Sequence, residues 1–343
     1  MAIPDENLWD YDAVTAGQAG TTTVVELTEE NIAMYVEIAQ NPDPRYQRSG
    51  SEQHSTRPLV AMPTMVLTYA PLLRENIAEN CGFVALEEST MARRQTPFAK
   101  CEIRWHRLAE AGDTITGSRR VLEKYERRGS RFVTFGVSAV NQSEQLVAEY
   151  DYTCIFEYAK GQRQMPQDQT DSTSPVSDNA PEPMPGAQTP QPRLLTFGDI
   201  AVGDQLVSLT VTESEEIILK KNDFRLAGKH RASNIHTDEE FAKQNIFGEA
   251  VNSGPATMSY VDQMLQLSFP LEAFYGGGSL LMRAITPFRT TDIVTFEGEI
   301  TEKRPHSPDS PLSQGGVVSC RVKGLNQRGD LVCLADATMV MPG

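Results

Sequence analysis

Alternating apolar and polar residues predict β-strands in the middle and at the end of this chain. Residues 131–140 and 146–156 are rich in β-branched and aromatic side chains, and a short polar turn separates them. Residues 316–324 and 331–341 repeat this order of strand, turn and strand. The pattern therefore predicts an antiparallel hairpin in each half of the chain.

Helical patterns come before the strands in each half. Thr28 begins a capping box that leads into an apolar stretch, and Thr212 begins a similar segment. A second, more apolar helix is predicted over residues 64–73 and again over residues 255–267. A long helix and a run of antiparallel strands bury their apolar faces by packing the helix on one face of the sheet. We therefore predict an α+β fold.

The two halves also match residue by residue. Pairs of identical residues occur in the same order in both halves, 179 to 191 positions apart. The pairs that carry this observation are Val60 and Val251, Tyr69 and Tyr260, Asp113 and Asp292, and Asn141 and Asn326. Matches that keep their order at slowly changing separations indicate a duplicated domain.

Residues 161–193 divide the halves. This segment is dense in Pro, Gln, Ser and Asp, so it cannot bury enough apolar surface to offset the entropy lost on ordering. We predict an extended linker here, between an N-terminal domain at 1–160 and a C-terminal domain at 194–343, each of ordinary domain size. Two such α+β units predict a tandem, or double, hotdog fold, in which each half is an antiparallel sheet wrapped on a central helix.

Composition limits the classes of function. The 343 residues carry a formal net charge of −15, which argues against nucleic acid as a partner because phosphate binding needs a basic surface. Five scattered cysteines without paired spacing predict reduced structural thiols and no metal site. No apolar stretch reaches the roughly 18 residues of a membrane span, and the first residues lack the pattern of a signal peptide. We therefore expect a cytoplasmic protein without a membrane partner.

One loop carries the candidate chemistry. His236 follows Ser233 and Asn234, and Gly254 lies in a small-residue turn that opens the second apolar helix. This order suits a histidine that faces a pocket whose other wall is a helix N-terminus with free backbone N–H groups. It resembles the signature of the (R)-specific enoyl-CoA hydratases, the MaoC-like dehydratases, and the likeness extends over nearly the whole chain outside the linker.

The resemblance implies a hydro-lyase of fatty acid metabolism. Such enzymes add water reversibly across the 2,3-double bond of an acyl thioester, usually acyl-CoA, so CoA would arrive as part of the substrate and no other cofactor is implied. His236 matches the family's acid/base histidine. Gly254 matches the glycine whose N–H polarises the thioester carbonyl, at a helix end where the dipole favours negative charge. Chains of this family commonly form dimers, so a homodimer is also implied as a possible assembly.

The motif departs from the family pattern at one decisive position. Arg231 stands five residues before His236, where the family has its catalytic aspartate. An arginine stays protonated near neutral pH and cannot act as a general base. The pair Ser233 and Asn234 also replaces the Asn-Pro pair that usually precedes the histidine. The resemblance therefore predicts the fold more directly than the chemistry.

Three hypotheses for the site remain open. In the first, Asp223 or another carboxylate reaches the water that reacts. In the second, His236 works alone while a neighbouring polar side chain positions the water, the candidates being Ser233, Asn234 and His230. In the third, the site no longer hydrates, and the arginine at the aspartate position instead binds an anionic group of the substrate, such as a second carboxylate.

Two further residues bear on substrate binding. Arg283 lies on a predicted strand, at the position where relatives approach the active site or the CoA phosphates. In the first half, Tyr46 stands where the motif histidine would be, and the resemblance implies that this half shapes the acyl site and does not react.

Other functions compete with hydration. One is a non-hydrating acyl-CoA-binding protein, either a pseudoenzyme or a partner subunit that completes the site of another chain. The other is a hotdog isomerase or thioesterase that uses Arg231 on a carboxylate-bearing substrate.

Overall fold

The computed structural model describes residues 6–46, 58–160, 190–229, 233–243, 247–306 and 315–342. Within these stretches the chain forms twelve β-strands and seven α-helices. His230 and Arg231 of the predicted site lie outside the described residues, as does most of the predicted linker.

The strands are β1 (Leu8–Trp9), β2 (Thr23–Glu26), β3 (Val84–Ala85), β4 (Phe98–Trp105), β5 (Thr114–Arg127), β6 (Ser130–Val140), β7 (Leu146–Glu157), β8 (Leu209–Thr212), β9 (Ser279–Ala284), β10 (Ile293–Pro305), β11 (Gly316–Asn326) and β12 (Leu331–Met341). The helices are α1 (Glu29–Ile38), α2 (Val66–Tyr69), α3 (Arg74–Asn80), α4 (Glu215–Asp223), α5 (Glu239–Lys243), α6 (Gly254–Gln266) and α7 (Glu272–Tyr275). None of these helices is long and apolar enough to cross a bilayer.

Ten strands form one sheet in the order β2-β5-β6-β7-β4-β9-β12-β11-β10-β8. Neighbouring strands in this sheet are antiparallel. Five strands come from each half, in mirrored order, so β4 and β9 form the seam between the halves, with Cys101 opposite Met282. The predicted hairpins, β6 with β7 and β11 with β12, are confirmed.

The duplication is visible in hydrogen bonds as well as in strand order. Gln142 accepts the backbone N–H at the start of β5 and donates to Asp113, both at 3.0 Å. Gln327 accepts the N–H at the start of β10 at 2.9 Å and donates to Asp292 at 3.5 Å. The matched sequence positions therefore make matched contacts.

The residues that precede α1 and α4 also make equivalent hydrogen bonds. Leu27 and Glu213 each donate a backbone N–H to the aspartate carbonyl of the matched turn, at 2.8 and 3.0 Å. The next residue, Thr28 or Ser214, accepts an N–H of the first helical turn and so caps the helix. The Thr28 cap is as predicted, whereas the second helix begins two residues later than the predicted Thr212. Leu27 and Glu213 therefore occupy equivalent positions, 186 residues apart.

The central helices of the two halves differ in length. α6 has 13 residues, of which residues 256–266 are all buried, and it packs against β4, β8 and β10. The first half forms only the 3-10 turn Pro63–Met65 and the four-residue α2. Pro71 ends this segment, because the residue before a proline is pushed out of the helical conformation. The helix predicted over residues 64–73 is therefore too long.

α6 also binds the first half through polar side chains. Asp262 is fully buried and accepts the backbone N–H of Thr64 at 2.9 Å and its hydroxyl at 2.7 Å. Tyr46 is buried as well, and its hydroxyl donates to Gln266 at 2.5 Å. The position of the motif histidine in the first half is therefore packed into the contact between the halves.

The titration of Asp262 should be measurable in the stability of the protein. Burial raises the pKa of Asp262 to about 6 from an ordinary value of 3.8, although hydrogen bonds from Thr64 and Gln266 oppose the shift. The folded protein therefore keeps this proton between about pH 4 and 6 and loses it above. The contribution of this group to the free energy of unfolding is largest at low pH and falls by roughly 3 kcal/mol as the pH rises through 6.

Asp262→Asn should remove this loss, because the amide does not titrate. Equilibrium denaturation of both proteins between about pH 4 and 7.5 gives the difference in their free energies of unfolding. That difference should move in favour of the variant as the pH rises. A constant difference would contradict the assignment.

Candidate active site

His236 lies in the loop between α4 and α5 with one ring nitrogen occupied. Its Nδ1 is 2.7 Å from the carbonyl oxygen of Val251, so the imidazole carries its proton there and donates it. Nε2 is then left for a ligand in the cavities that the ring borders. Burial lowers the pKa of His236, the Val251 hydrogen bond opposes this, and the charges of Arg225 and Arg74 add to the lowering. The imidazole is therefore a neutral base at neutral pH.

The residues after Val251 open α6. Ser253 caps the helix, since its Oγ accepts the Ala256 N–H at 3.3 Å, and its own N–H donates to Asn252 Oδ1 at 2.9 Å. Pro255 has no N–H. The N–H of Gly254 is thus the remaining donor of the first turn, at a helix end that favours negative charge.

Phe98 forms a wall against this helix end. The ring lies so close to Gly254 that a Cβ at this position would overlap it, so the site requires glycine. Phe98 also contacts Tyr152 edge to face, with ring centroids 5.0 Å apart. Both aromatic residues belong to the first half. The donor at the start of α6 is therefore shielded by the other half of the molecule.

A cavity of about 370 Å³ opens in front of the imidazole and the helix end. The first half supplies Phe98, Phe132 and Tyr152 to its wall. The second half supplies Met282 and Phe288. We call this space the outer cavity. Its wall is mostly apolar, and it exists only where the two halves meet.

A second cavity of about 220 Å³ continues from the first and is called the inner cavity. Tyr152, His236, Asn252 and Ser253 line both cavities, so the two spaces meet at the start of α6. Lys221 of α4 lies in the inner wall.

Neither cavity is lined by an Asp or a Glu from the described stretches. Asp223, a predicted replacement for the family's aspartate, is exposed at the end of α4 and is not brought to either cavity. A third cleft of about 380 Å³ that His236 borders does carry carboxylates, among them Glu239 and Glu249. No three His, Cys, Asp or Glu side chains in the described ranges are grouped as metal ligands.

Ser233 and Asn234 support the histidine loop and line neither of the two cavities. Asn234 Oδ1 accepts the His236 N–H at 2.8 Å, and its Nδ2 donates to Asn222 at 2.8 Å. Arg93 of the first half donates to the Ser233 hydroxyl at 3.1 Å and to its carbonyl at 2.5 Å. Both predicted substrate-binding residues thus hold the loop in place.

Arg283 lies on β9, as predicted, but does not line the cavities. Met282 and Ala284 line the outer cavity, and side chains alternate between the two faces of a strand. The Arg283 guanidinium donates to Asp336 at 2.8 Å. The structure therefore does not bring this residue to the site. Arg231 lies outside the described residues, and its role stays a prediction.

A buried charge pair lies behind the start of α6. The Glu213 side chain is fully buried and accepts hydrogen bonds from Asn252 at 2.5 Å, Tyr260 at 3.0 Å and Lys221 at 3.1 Å. Burial lowers the pKa of Lys221 to about 8, against the pull of Glu213. Because Asn252 also accepts the Ser253 N–H, this carboxylate fixes the residues that present the helix end.

Glu213, Lys221 and Asn252 were not identified from the sequence. The two charged residues look like the surface charges of a polar helix. The duplication could have identified the charged pair. At a separation of 186 positions, Glu213 corresponds to Leu27 and Lys221 corresponds to Tyr35. A charged residue at the position that a fully buried leucine occupies in the other half indicates a role other than packing.

Comparison with solved structures bears on the fold. The chain is similar to a protein described as a MaoC-like dehydratase, with a TM-score of 0.62 and 18% identity over 95% of this chain and 98% of that one. A putative MaoC domain protein dehydratase from Chloroflexus aurantiacus has a TM-score of 0.60 and 15% identity over 99% of both chains. A conserved hypothetical protein from Mycobacterium tuberculosis, described as a double hotdog fold, has a TM-score of 0.56 and 15% identity over 96% of this chain and 98% of its own.

No family model and no curated protein matches the sequence. At these identities the likeness shows the fold: the chain has the double hotdog fold of MaoC-like dehydratases. The α+β tandem hotdog predicted from the sequence is confirmed, and the resemblance to the MaoC-like proteins is confirmed at the level of the fold.

Glu213→Gln should lower the free energy of unfolding by about 3 kcal/mol, because it leaves the Lys221 ammonium buried without its counter-ion. Glu216→Gln is the matched control. It removes an exposed pair with Lys220, whose atoms are 2.9 Å apart, and should cost less than about 1 kcal/mol. Equilibrium denaturation at neutral pH compares the two. Equal losses would show that the buried pair does not support the fold in this way.

Proposed function

We propose that this protein is a hydro-lyase that reversibly hydrates a 2-enoyl thioester of CoA and dehydrates the corresponding 3-hydroxyacyl thioester. The observation that carries the proposal is the position of His236 and the Gly254 N–H on one mostly apolar cavity. The descriptions of proteins with the same fold as dehydratases support it.

The Gly254 N–H would hold the thioester oxygen. Removal of an α-proton from a thioester places negative charge on that oxygen as an enolate forms. A backbone donor at a helix start is oriented before the reaction, and the helix dipole adds to it. Phe98 and Tyr152 line the same cavity as the donor, and an apolar wall of low dielectric constant strengthens the interaction.

His236 would move the proton. In dehydration, the neutral Nε2 takes the α-proton, and the electrons of the C–H bond form the enolate. The imidazolium then donates this proton to the 3-hydroxyl group as its C–O bond breaks, so that water leaves and the enolate electrons form the 2,3-double bond. Hydration is the reverse. A single base suffices when both groups lie on one face of the substrate, which agrees with cavities whose described walls hold no carboxylate.

A second candidate function is binding of an acyl thioester without hydration. The lack of carboxylates in the described walls of both cavities favours it, because the implied family reaction pairs the histidine with an aspartate. The hypothesis of an isomerase or thioesterase depends on Arg231, which lies outside the described residues.

His236→Ala should lower kcat/KM for the hydration of 2-enoyl-CoA esters by about 10² to 10⁴, because the proton carrier is lost. The loss of enoyl-thioester absorbance measures the rate, with a panel of acyl chain lengths. His106→Ala is the control, since this exposed histidine lies 3.6 Å from Glu149 at the surface and should keep the wild-type rate. Binding of 2-enoyl-CoA by the wild type without any turnover would reject hydration in favour of the second candidate.

The pH profile tests the protonation state. The pKa of His236 is lowered from its ordinary value of 6.5, and the neutral imidazole is the base in dehydration. We therefore expect kcat/KM for 3-hydroxyacyl-CoA dehydration to fall as the pH decreases, with its midpoint below 6.5. A midpoint above 6.5 would contradict the assignment of this base.

A further inference from the structure

The wall of the inner cavity holds two cationic side chains, whereas the described residues give the outer cavity one, Arg74, which pairs with Glu87 at 3.1 Å. Lys221 and Arg225 line the inner cavity, and the described residues supply no carboxylate to its wall. Its volume of about 220 Å³ is smaller than the roughly 370 Å³ of the outer cavity, so it suits the shorter arm of a thioester. The apolar part of the wall includes Leu67 and Pro71 of the first half.

Lys221 is poised for a further acceptor. Its side chain is only 9% exposed, and its ammonium makes contacts to Glu213 and to the Tyr260 hydroxyl. An ammonium has three N–H donors, so one remains after these two contacts. The residue lines the inner cavity.

The first half shows that the fold does not need this charge pair. Leu27 and Tyr35 occupy the positions of Glu213 and Lys221, and both are buried. Replacing a buried ion pair by apolar residues is often neutral or stabilising. The pair is therefore maintained in one half for a reason other than packing, and that half carries His236.

In the first half, a carboxylate occupies the position that corresponds to the inner cavity. There the carboxylate of Asp262 accepts the N–H and hydroxyl of Thr64, at the start of the short central helix and beside Tyr35. At the equivalent place in the second half, Pro71 of the first half stands where Asp262 would be, at the separation of 191 positions. The space that Asp262 fills in the first half thus corresponds to the inner cavity in the second half, next to Lys221.

We propose that the inner cavity binds a carboxylate at the far end of the substrate's acyl group, which accepts a hydrogen bond from the Lys221 ammonium. The substrate is then a CoA thioester of a short 2-enoic diacid or of its 3-hydroxy form. This inference rests on the proposed function for the position of the thioester. With the carbonyl at the Gly254 N–H, where the cavities meet, the acyl group extends into the inner cavity and the pantetheine arm into the larger outer one.

Binding tests the site without turnover. The probes are the mono-CoA thioester of butanedioic acid, its terminal amide, and free CoA, each titrated calorimetrically into the full-length protein. We expect the acid to bind at least about tenfold tighter than the amide, because a carboxylate accepts a stronger hydrogen bond from the Lys221 ammonium than a neutral amide oxygen does. Equal affinities would overturn the proposal.

Variants assign the preference to Lys221. Lys221→Met should abolish the difference between acid and amide, whereas Lys220→Met, which alters the exposed neighbour on α4, should preserve it. Glu213→Gln combined with Lys221→Met removes both buried charges together, so it tests the preference in a protein with no unpaired buried charge. A preference that persists in this double variant would overturn the proposal. So would an equal weakening of the acid, the amide and free CoA by Lys221→Met, since that would place the CoA phosphates near the ammonium.

Kinetics separate this inference from the proposed function. The matched substrates are the mono-CoA thioester of trans-2-butenedioic acid and trans-2-butenoyl-CoA. Preferential binding of the acid without hydration of either substrate would reject the hydro-lyase and keep the carboxylate site. Hydration of both substrates with equal kcat/KM would reject the carboxylate site and keep the hydro-lyase.

Discussion

The pairing of β4 with β9 is the interaction on which the rest of the structure depends. It joins two five-stranded halves into one antiparallel sheet with mirrored strand order. Because this seam lies at the centre of the sheet, β4 carries Phe98 onto the start of α6, and β7 brings Tyr152 beside His236. Either half alone would lack one wall of the cavities. The candidate site is therefore a property of the duplicated chain and not of a single hotdog unit.

The duplicated fold contains two equivalent positions for such a site. Side chains fill the position in the first half, and cavities remain at the position in the second half. In the first half, Tyr46 replaces the histidine and is buried, and Asp262 occupies the helix end at Thr64. In the second half, Gly254 begins a helix whose end borders the cavities. The contacts that close the first place also join the halves, because Asp262 and Thr64 lie on opposite sides of that junction. The contacts that fill the equivalent place in the first half thus also hold the two halves together.

The open place is supported by polar groups whose burial carries a cost. Glu213 and Lys221 lie where the first half has apolar and aromatic side chains, and a buried ion pair rarely stabilises a fold more than well-packed apolar residues do. Glu213 holds Asn252, and Asn252 holds the N–H of the residue that caps α6. The preceding carbonyl, of Val251, fixes the imidazole of His236. The loop of residues 251–253 therefore positions both His236 and the Gly254 N–H. The buried carboxylate of Glu213 in turn positions that loop.

The resemblance to a known family paired His236 with Gly254 as motif residues. The sequence by itself also determined the local elements and the duplication: the hairpins, the Thr28 cap and the apolar helix that became α6. These follow from short-range periodicity and capping chemistry, which a chain carries without its tertiary contacts. Only the tertiary structure decided which side chains meet the cavities. Arg283 faces away because strand register places its neighbours inward, Asp223 stays at an exposed helix end, and Lys221 is buried against Glu213 and Tyr260. Orientation across the seam depends on contacts between residues far apart in the chain, and no local pattern encodes it.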